Sequence, residues 1–203
     1  TLVRHYAAPS DRGRFVLTRA RQLDLLAKAL PAHLGRVESG YLLSRNLANP
    51  AEAARALVEH FDQIAVGVHE EVQVVFGTRF RGVVSSTPKI AQVFTSTVAA
   101  GGYGSYSPEA LEALAGPLLR AAYLGTLLAA VRLGKRRVVL TLIGGGVFGN
   151  PLELIWESIF WAAEEAGRRG ARLEVLVNAH RSSPSAAVEE QLRRTGGRCV
   201  RVP

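Results

Sequence analysis

The 203-residue chain has no methionine and one cysteine, Cys199, and only three of its 25 cationic residues are lysines. One thiol cannot form an internal disulfide, so the fold must rest on a packed core, and a reducing, cytoplasmic setting is expected. Cys199 itself, within Arg198–Val202, is expected as an inert buried thiol on a short closing strand. Without any methionine, Thr1 is expected to mark a processed or trimmed start. Histidines are few (His5, His33, His60, His69 and His180), and their spacing does not suit a metal, so neither a metal nor a cofactor is expected. No unbroken apolar run reaches the ~18 residues of a membrane span, and no signal-peptide pattern opens the chain, so a membrane is not an expected partner.

What is abundant is apolar: 48% of the residues are hydrophobic, enough for one sizeable core and a single domain spanning 1–203. The net charge of +8 would favour anionic partners such as nucleic acid. The arginines, however, gather at helix ends (Arg168, Arg169, Arg193, Arg194) and strand starts (Arg136, Arg137, Arg172, Arg198). Cations at helix C-termini are what the helix dipole favours, so solvated helix ends are the stronger reading.

Apolar periodicity and capping residues predict alternating elements. Strands are expected at Leu2–Tyr6, Gly40–Leu43, Ile64–Phe76, Ile90–Thr97, Val138–Ile143, Leu173–Val177 and Cys199–Val202. Helices are expected from Thr18 to Leu30, from Asn49-Pro50 to about Gln63, from Pro108 to Leu133, from Pro151 to Arg169, and from Ser183-Pro184 to before Gly196. Apolar strands between helices imply an α/β fold, with a mixed, largely parallel sheet covered by helices on both faces.

The densest signal is Val138-Val139-Leu140-Thr141-Leu142-Ile143 followed by Gly144-Gly145-Gly146-Val147-Phe148-Gly149-Asn150-Pro151. A β-rich run enters a glycine turn, and a helix pattern begins at once. Asn150 is placed to cap that helix, Pro151 suits its first position, and Glu153 complements the positive helix end. Glycines let the backbone approach a ligand and turn N–H groups toward an anion, beside a helix start that already favours negative charge. The physical reading is a phosphate or pyrophosphate cradle. The alternative is a tight strand-to-helix turn that binds nothing.

Gly144, Gly146 and Gly149 also satisfy G-x-G-x-x-G, the dinucleotide fingerprint of a Rossmann enzyme. That fold expects an acidic residue ending the next strand, and here the position is Asn178. Instead, the loop resembles the second ligand loop of macrodomains. It is especially similar to the Gly-x-Phe-Gly-Asn-Pro form of bacterial-type poly(ADP-ribose) glycohydrolase relatives. The order of Ile90–Thr97, Gly101-Gly102-Tyr103, the long helix and the glycine-loop strand looks like the same group, as do Ser39-Gly40-Tyr41 and Arg19-x-Arg21-Gln22-x-Asp24. The resemblance implies a three-layer macrodomain-like fold that binds ADP-ribose or a related nucleotide diphosphate. Residues 144–150 would wrap the diphosphate, and Phe148 would pack on the distal ribose. It also implies ADP-ribosyl hydrolase activity in the intact protein, with ADP-ribosylated protein or nucleic acid as wider partners. Macrodomains place a first ligand segment before the point where this chain starts. The domain is therefore expected to lack its N-terminal part, with a second chain or self-association covering the exposed edge near Leu2–Tyr6.

A second constellation, Ser96 to Tyr106, follows a strand and leads into the long helix. Adjacent strand ends form the usual crevice of an open α/β sheet. There Ser96 or Thr97 can donate to ribose or phosphate, Gly102 loosens the loop, and Tyr103 or Tyr106 can stack on a base; a plain surface loop is the bland alternative. Asn178, ending the next strand, faces the same crevice as a ribose contact or as a turn-forming asparagine. Glu70-Glu71 is the most suggestive acidic pair, but on an alternating strand one of the two faces solvent in any case. No catalytic residue stands out. Three function classes remain: a nucleotide-diphosphate binder with hydrolase chemistry, a nicotinamide-dependent enzyme, and a ligand-free interaction domain.

Overall fold

The computed structural model describes residues 2–3, 23–38, 40–73, 89–99, 104–179 and 183–200. It is mixed α/β. In chain order the elements are β1 (Leu2–Val3), β2 (Leu23–Asp24), α1 (Pro50–Glu59), β3 (Gly67–Gln73), β4 (Lys89–Phe94), α2 (Pro108–Arg132), β5 (Arg137–Thr141), α3 (Leu152–Arg168), β6 (Glu174–Asn178) and α4 (Ala186–Arg194). The strands form three pairs: β1 with β2 and β3 with β4 are antiparallel, and β5 with β6 is parallel. The sequence suggests a mixed, largely parallel sheet, but among the described residues only β5 and β6 pair in parallel.

Parallel pairing suits this pair. β5, α3 and β6 form a strand–helix–strand unit, and parallel strands need such a crossover to be joined. Residues of β5 alternate, with Val138 and Leu140 buried beneath the helices and Val139 on the other face, 62% exposed. A parallel strand buried on both faces would have lost that alternation.

The centre of the molecule is α2. Ser107 caps it by accepting from the Ala110 N–H, and Pro108 occupies the first turn. Its buried residues, from Leu114 to Ala130, run around the helix rather than along one stripe. α1 packs on one side, α3 on another, and β5 also meets it. By length and composition α2 is apolar enough to cross a membrane, but most of that apolar window is buried inside the protein. A helix apolar on all sides is accounted for by neighbours on several sides.

Local signals explain the other helices. Asn49 caps α1 through the Ala51 and Glu52 N–H groups, with Pro50 next. Ser185 caps α4 through the Val188 N–H. The helix-end arginines are held by carboxylates of their own helices: Arg168 and Arg169 pair with Glu165, and Arg193 and Arg194 pair with Glu190.

Three expectations are corrected. The helix expected from Thr18 to Leu30 is not formed in its described part. Leu23-Asp24 instead pairs with Leu2-Val3, and residues 25–30 turn, with the Asp24 carboxylate accepting from the Leu26 N–H. The apolar spacing of Leu25, Leu26, Ala29 and Leu30 suits a helix, but here it buries a turn in the core. Cys199 is exposed, and residues 197–200 form no strand. The alternation of Arg198-Cys199-Val200 finds no strand partner among the described residues. The strand expected at Gly40–Leu43 is reduced to isolated bridges, Glu38 with Tyr41 and Gly35 with Leu47.

Candidate functional site

β5 ends at Thr141, and the chain leaves the sheet under the control of one buried phenol. Tyr123 of α2 donates to the Thr141 carbonyl and accepts from the Ile143 N–H, both at 2.9 Å. Desolvation raises the Tyr123 pKa well above the usual phenol value, which keeps the hydroxyl protonated and able to donate. From this anchor residues 142–149 turn through Gly145 N–H to Leu142 O and Gly149 N–H to Gly146 O. The loop closes where the Asn150 N–H returns to the Gly144 carbonyl at 3.0 Å.

Any other residue at Gly144 would be strained. Its φ is +78°, and a β-carbon there would lie 2.5 Å from Thr97 Cγ2 and 2.7 Å from Asn150 Nδ2. The close approach is produced by Asn150, whose expected role is corrected. Its side chain does not cap α3; Pro151 occupies the cap position, and among the described residues no side chain takes the first N–H groups. Asn150 points inward, 4% exposed, and joins two segments. Its Oδ1 accepts from Thr97 Oγ1 at 3.2 Å, and its Nδ2 donates to the Val98 carbonyl at 3.0 Å. Longer contacts of 3.4 Å reach the Gly144 and Phe148 carbonyls.

The residues singled out from the sequence therefore divide. Thr97 is brought to the glycine loop, but as a buried brace, 2% exposed and committed to Asn150, not as a ligand donor. Ser96 beside it is half-buried and donates to the Thr97 carbonyl. Asn178 is exposed and paired in register with Thr141, so it stands at the strand end from which the loop departs. Gly102 and Tyr103 lie outside the described residues. Tyr106 is turned to the core side, donating to the Leu42 carbonyl, with burial raising its pKa to about 12. Glu70 and Glu71 are both exposed, away from this loop on β3. Glu71 has φ +56° at a register shift of the β3–β4 pair, and Lys89 beside it holds its carboxyl below the usual value.

Two backbone donors of the loop are left over by its internal bonds among the described residues. Val147 is 71% exposed, and neither its N–H nor that of Gly146 meets an acceptor among the described residues. Directly beyond are the uncapped N–H groups at the start of α3, a 17-residue helix. A β-carbon at Gly146 would meet nothing within 4 Å. Glu153 is the one acidic residue of that first turn. Phe148, half-buried, lies against Tyr41 with ring centroids 6.0 Å apart and planes inclined at 60°. Sequence reasoning placed Tyr41 only in the general resemblance; its nearness to the loop is a long-range fact that spacing does not encode. No cluster of His, Cys, Asp and Glu suited to a metal occurs among the described residues.

Comparison of the chain with protein-family models, with curated proteins and with solved structures gives no match.

Proposed function

We propose that the loop Gly144–Asn150 and the start of α3 form an anion cradle, and that the protein binds ADP-ribose or a related nucleotide diphosphate there. The observation that carries the reading is the redirection of Asn150. An asparagine spent on Thr97 and Val98 leaves the first N–H groups of α3 uncapped, close in the chain to the Gly146 and Val147 N–H groups, which meet no acceptor among the described residues. Orphan donors at the positive end of a helix dipole favour a phosphate oxygen, each contact being charge-assisted. Phe148 at the edge of the cradle supplies a face for a sugar or base. The exposed Asn178 at the end of β6 supplies a polar contact on the same side, and its amide suits a hydroxyl.

The proposal includes a three-layer, macrodomain-like arrangement for the domain, ADP-ribosyl hydrolase chemistry in the intact protein, and ADP-ribosylated protein or nucleic acid as the macromolecular source of the ligand. A nicotinamide-dependent Rossmann enzyme is the weaker reading, because β6 ends on an amide and not on the carboxylate that would hold a ribose diol.

Calorimetric titration with ADP-ribose, NAD and AMP tests the proposal, with Gly146→Val as the control. A valine at 146 has open space, so the fold survives, but its methyl groups stand over the donors. ADP-ribose should bind the wild type and not the variant. Equal binding to both, or binding to neither, removes the cradle.

A further inference from the structure

We infer that Asn150 has a second position, in which it caps α3, and that the Thr97 hydroxyl is the latch that holds it in the first. The two positions are a property of the fold. Their effect on a ligand rests on the proposed anion cradle, because an outward Asn150 would occupy N–H groups that the anion needs.

The chain carries the same start signal twice, Asn49-Pro50-Ala51-Glu52 at α1 and Asn150-Pro151-Leu152-Glu153 at α3. At α1 it is used in full. Asn49 Oδ1 accepts from the Ala51 and Glu52 N–H groups at 3.0 and 3.3 Å, and Asn49 Nδ2 donates to Glu52 Oε1 at 3.0 Å. At α3 the three matching groups are idle. The Leu152 and Glu153 N–H groups and the Glu153 carboxylate have no partner among the described residues. One rotation would bring them into use. Pro151 has φ −57°, already helical, and only its ψ of 133° keeps it out of the helix. Turning that ψ to the helical value makes Pro151 the first residue of α3 and Asn150 its cap, as Pro50 and Asn49 are for α1.

Thr97 is what prevents this. With Asn150 inward, its Oδ1 accepts from Thr97 Oγ1 at 3.2 Å and its Nδ2 donates to the Val98 carbonyl at 3.0 Å, so four buried groups are satisfied together. Leaving would orphan the Thr97 hydroxyl and the Val98 carbonyl, in residues 2% and 0% exposed. That loss outweighs bonds made at an exposed helix start. Without the hydroxyl the balance changes. Staying then leaves Oδ1 unpaired in a residue that is 4% exposed, and leaving unpairs only the Val98 carbonyl. Each choice orphans one buried acceptor, while the outward one makes three bonds in place of one. Thr97 is thus a positioning residue, acting through Asn150 to keep the start of α3 open.

Hydrogen exchange of the full 203-residue chain, followed by NMR, tests the latch, because a mere loss of stability speeds amide exchange whereas a cap slows it. In Thr97→Val the Leu152 and Glu153 amides should exchange about fivefold more slowly than in the wild type, the protection conferred by one cap of ordinary strength. Thr97→Ser keeps a hydroxyl and should leave them fast. Thr97→Ala, which lacks the hydroxyl and puts nothing in its place, should slow them as valine does. Adding Asn150→Ala to a folded Thr97→Val should restore fast exchange. Unchanged or faster exchange of the two amides in a folded Thr97→Val or Thr97→Ala overturns the latch. So does failure of both variants to fold, since the outward position should supply replacement bonds, and so does slowing that survives loss of the Asn150 side chain. Calorimetry with ADP-ribose reads the consequence: Thr97→Val should bind about fivefold more weakly, because the ligand must displace the cap. Equal binding alongside slowed exchange overturns the competition and spares the latch. No binding by the wild type removes the cradle and leaves the exchange rates to decide the latch.

Discussion

Replacing Asn150 by aspartate changes one atom and should turn a structural brace into a pH-sensitive fault. The retained Oδ1 can still accept from Thr97 Oγ1. The second oxygen, however, replaces an amide that donates to the Val98 carbonyl at 3.0 Å and approaches two further carbonyls, of Gly144 and Phe148, at 3.4 Å. Ionised, the group would set negative charge against three carbonyl oxygens in a site that is 4% exposed. Losing the Val98 partner alone costs about 1–3 kcal/mol, and the buried charge adds to that. Protonated, the acid can donate to Val98 and recover most of the bond. Desolvation and the carbonyls therefore raise the folded-state pKa of the new residue above its unfolded value of about 3.9. The stability of the variant should accordingly be nearest that of the wild type below about pH 4 and fall as pH rises, by about 1.4 kcal/mol per unit until the folded-state pKa is passed. Urea denaturation followed by the fluorescence of buried Trp156 measures this at several pH values, with Asn150→Ala as a pH-independent control losing about 2–4 kcal/mol. A variant as stable as the wild type at about pH 7.5, or one whose deficit is the same at every pH, would refute the placement of Nδ2 against these carbonyls.

Other consequences follow from the same geometry. Gly144→Ala should cost about 2–4 kcal/mol in thermal or urea unfolding, combining the positive φ with a clash against Thr97 and Asn150; a neutral effect would mean that the loop is not held as described. Glu153→Gln should bind ADP-ribose about 2–5-fold more tightly in calorimetry while losing about 0.3–1 kcal/mol of stability, because its carboxylate now opposes the ligand at the helix start. Burial raises the pKa of both Tyr123 and Tyr106, so stability present below the unfolded phenol pKa of about 10 should fall as pH rises toward the folded values. In alkaline melts, Tyr123→Phe should be less stable near neutrality, by about 1–3 kcal/mol, yet lose less stability above about pH 10.

Much of the scaffold is written locally. Asn49-Pro50 and Ser107-Pro108 each combine a cap with a fixed φ, and the structure begins helices at both. β5 and β6 follow from short apolar runs between charged starts and polar ends. Where local signals were ambiguous, distant partners decided. Asn150-Pro151 carries the same signature as Asn49-Pro50, yet Thr97 and Val98 draw the second asparagine inward, since a buried carbonyl left unpaired would cost more than an exposed helix end. Leu23 to Leu30 has helical spacing, but pairing with β1 takes its first residues. The glycine loop was legible as a loop. Its brace, Thr97, is expected from sequence among the ligand donors, and its aromatic neighbour Tyr41 comes to it only once the 106 intervening residues have folded back.

The central position of α2 also sets how the molecule opens. A helix enclosed by α1, α3 and β5 cannot expose its middle turns unless those neighbours separate, so its backbone amides near Leu118–Leu127 should exchange with solvent only through global unfolding. Tyr123 lies within that stretch and bonds directly to the root of the glycine loop. The most slowly exchanging segment is thus wired to one of the most exposed. A ligand that orders the loop would act on a support already rigid, and its stabilising effect should register as slower exchange in the loop and at the first turn of α3, while the protection of α2 rises only by as much as the whole protein is stabilised.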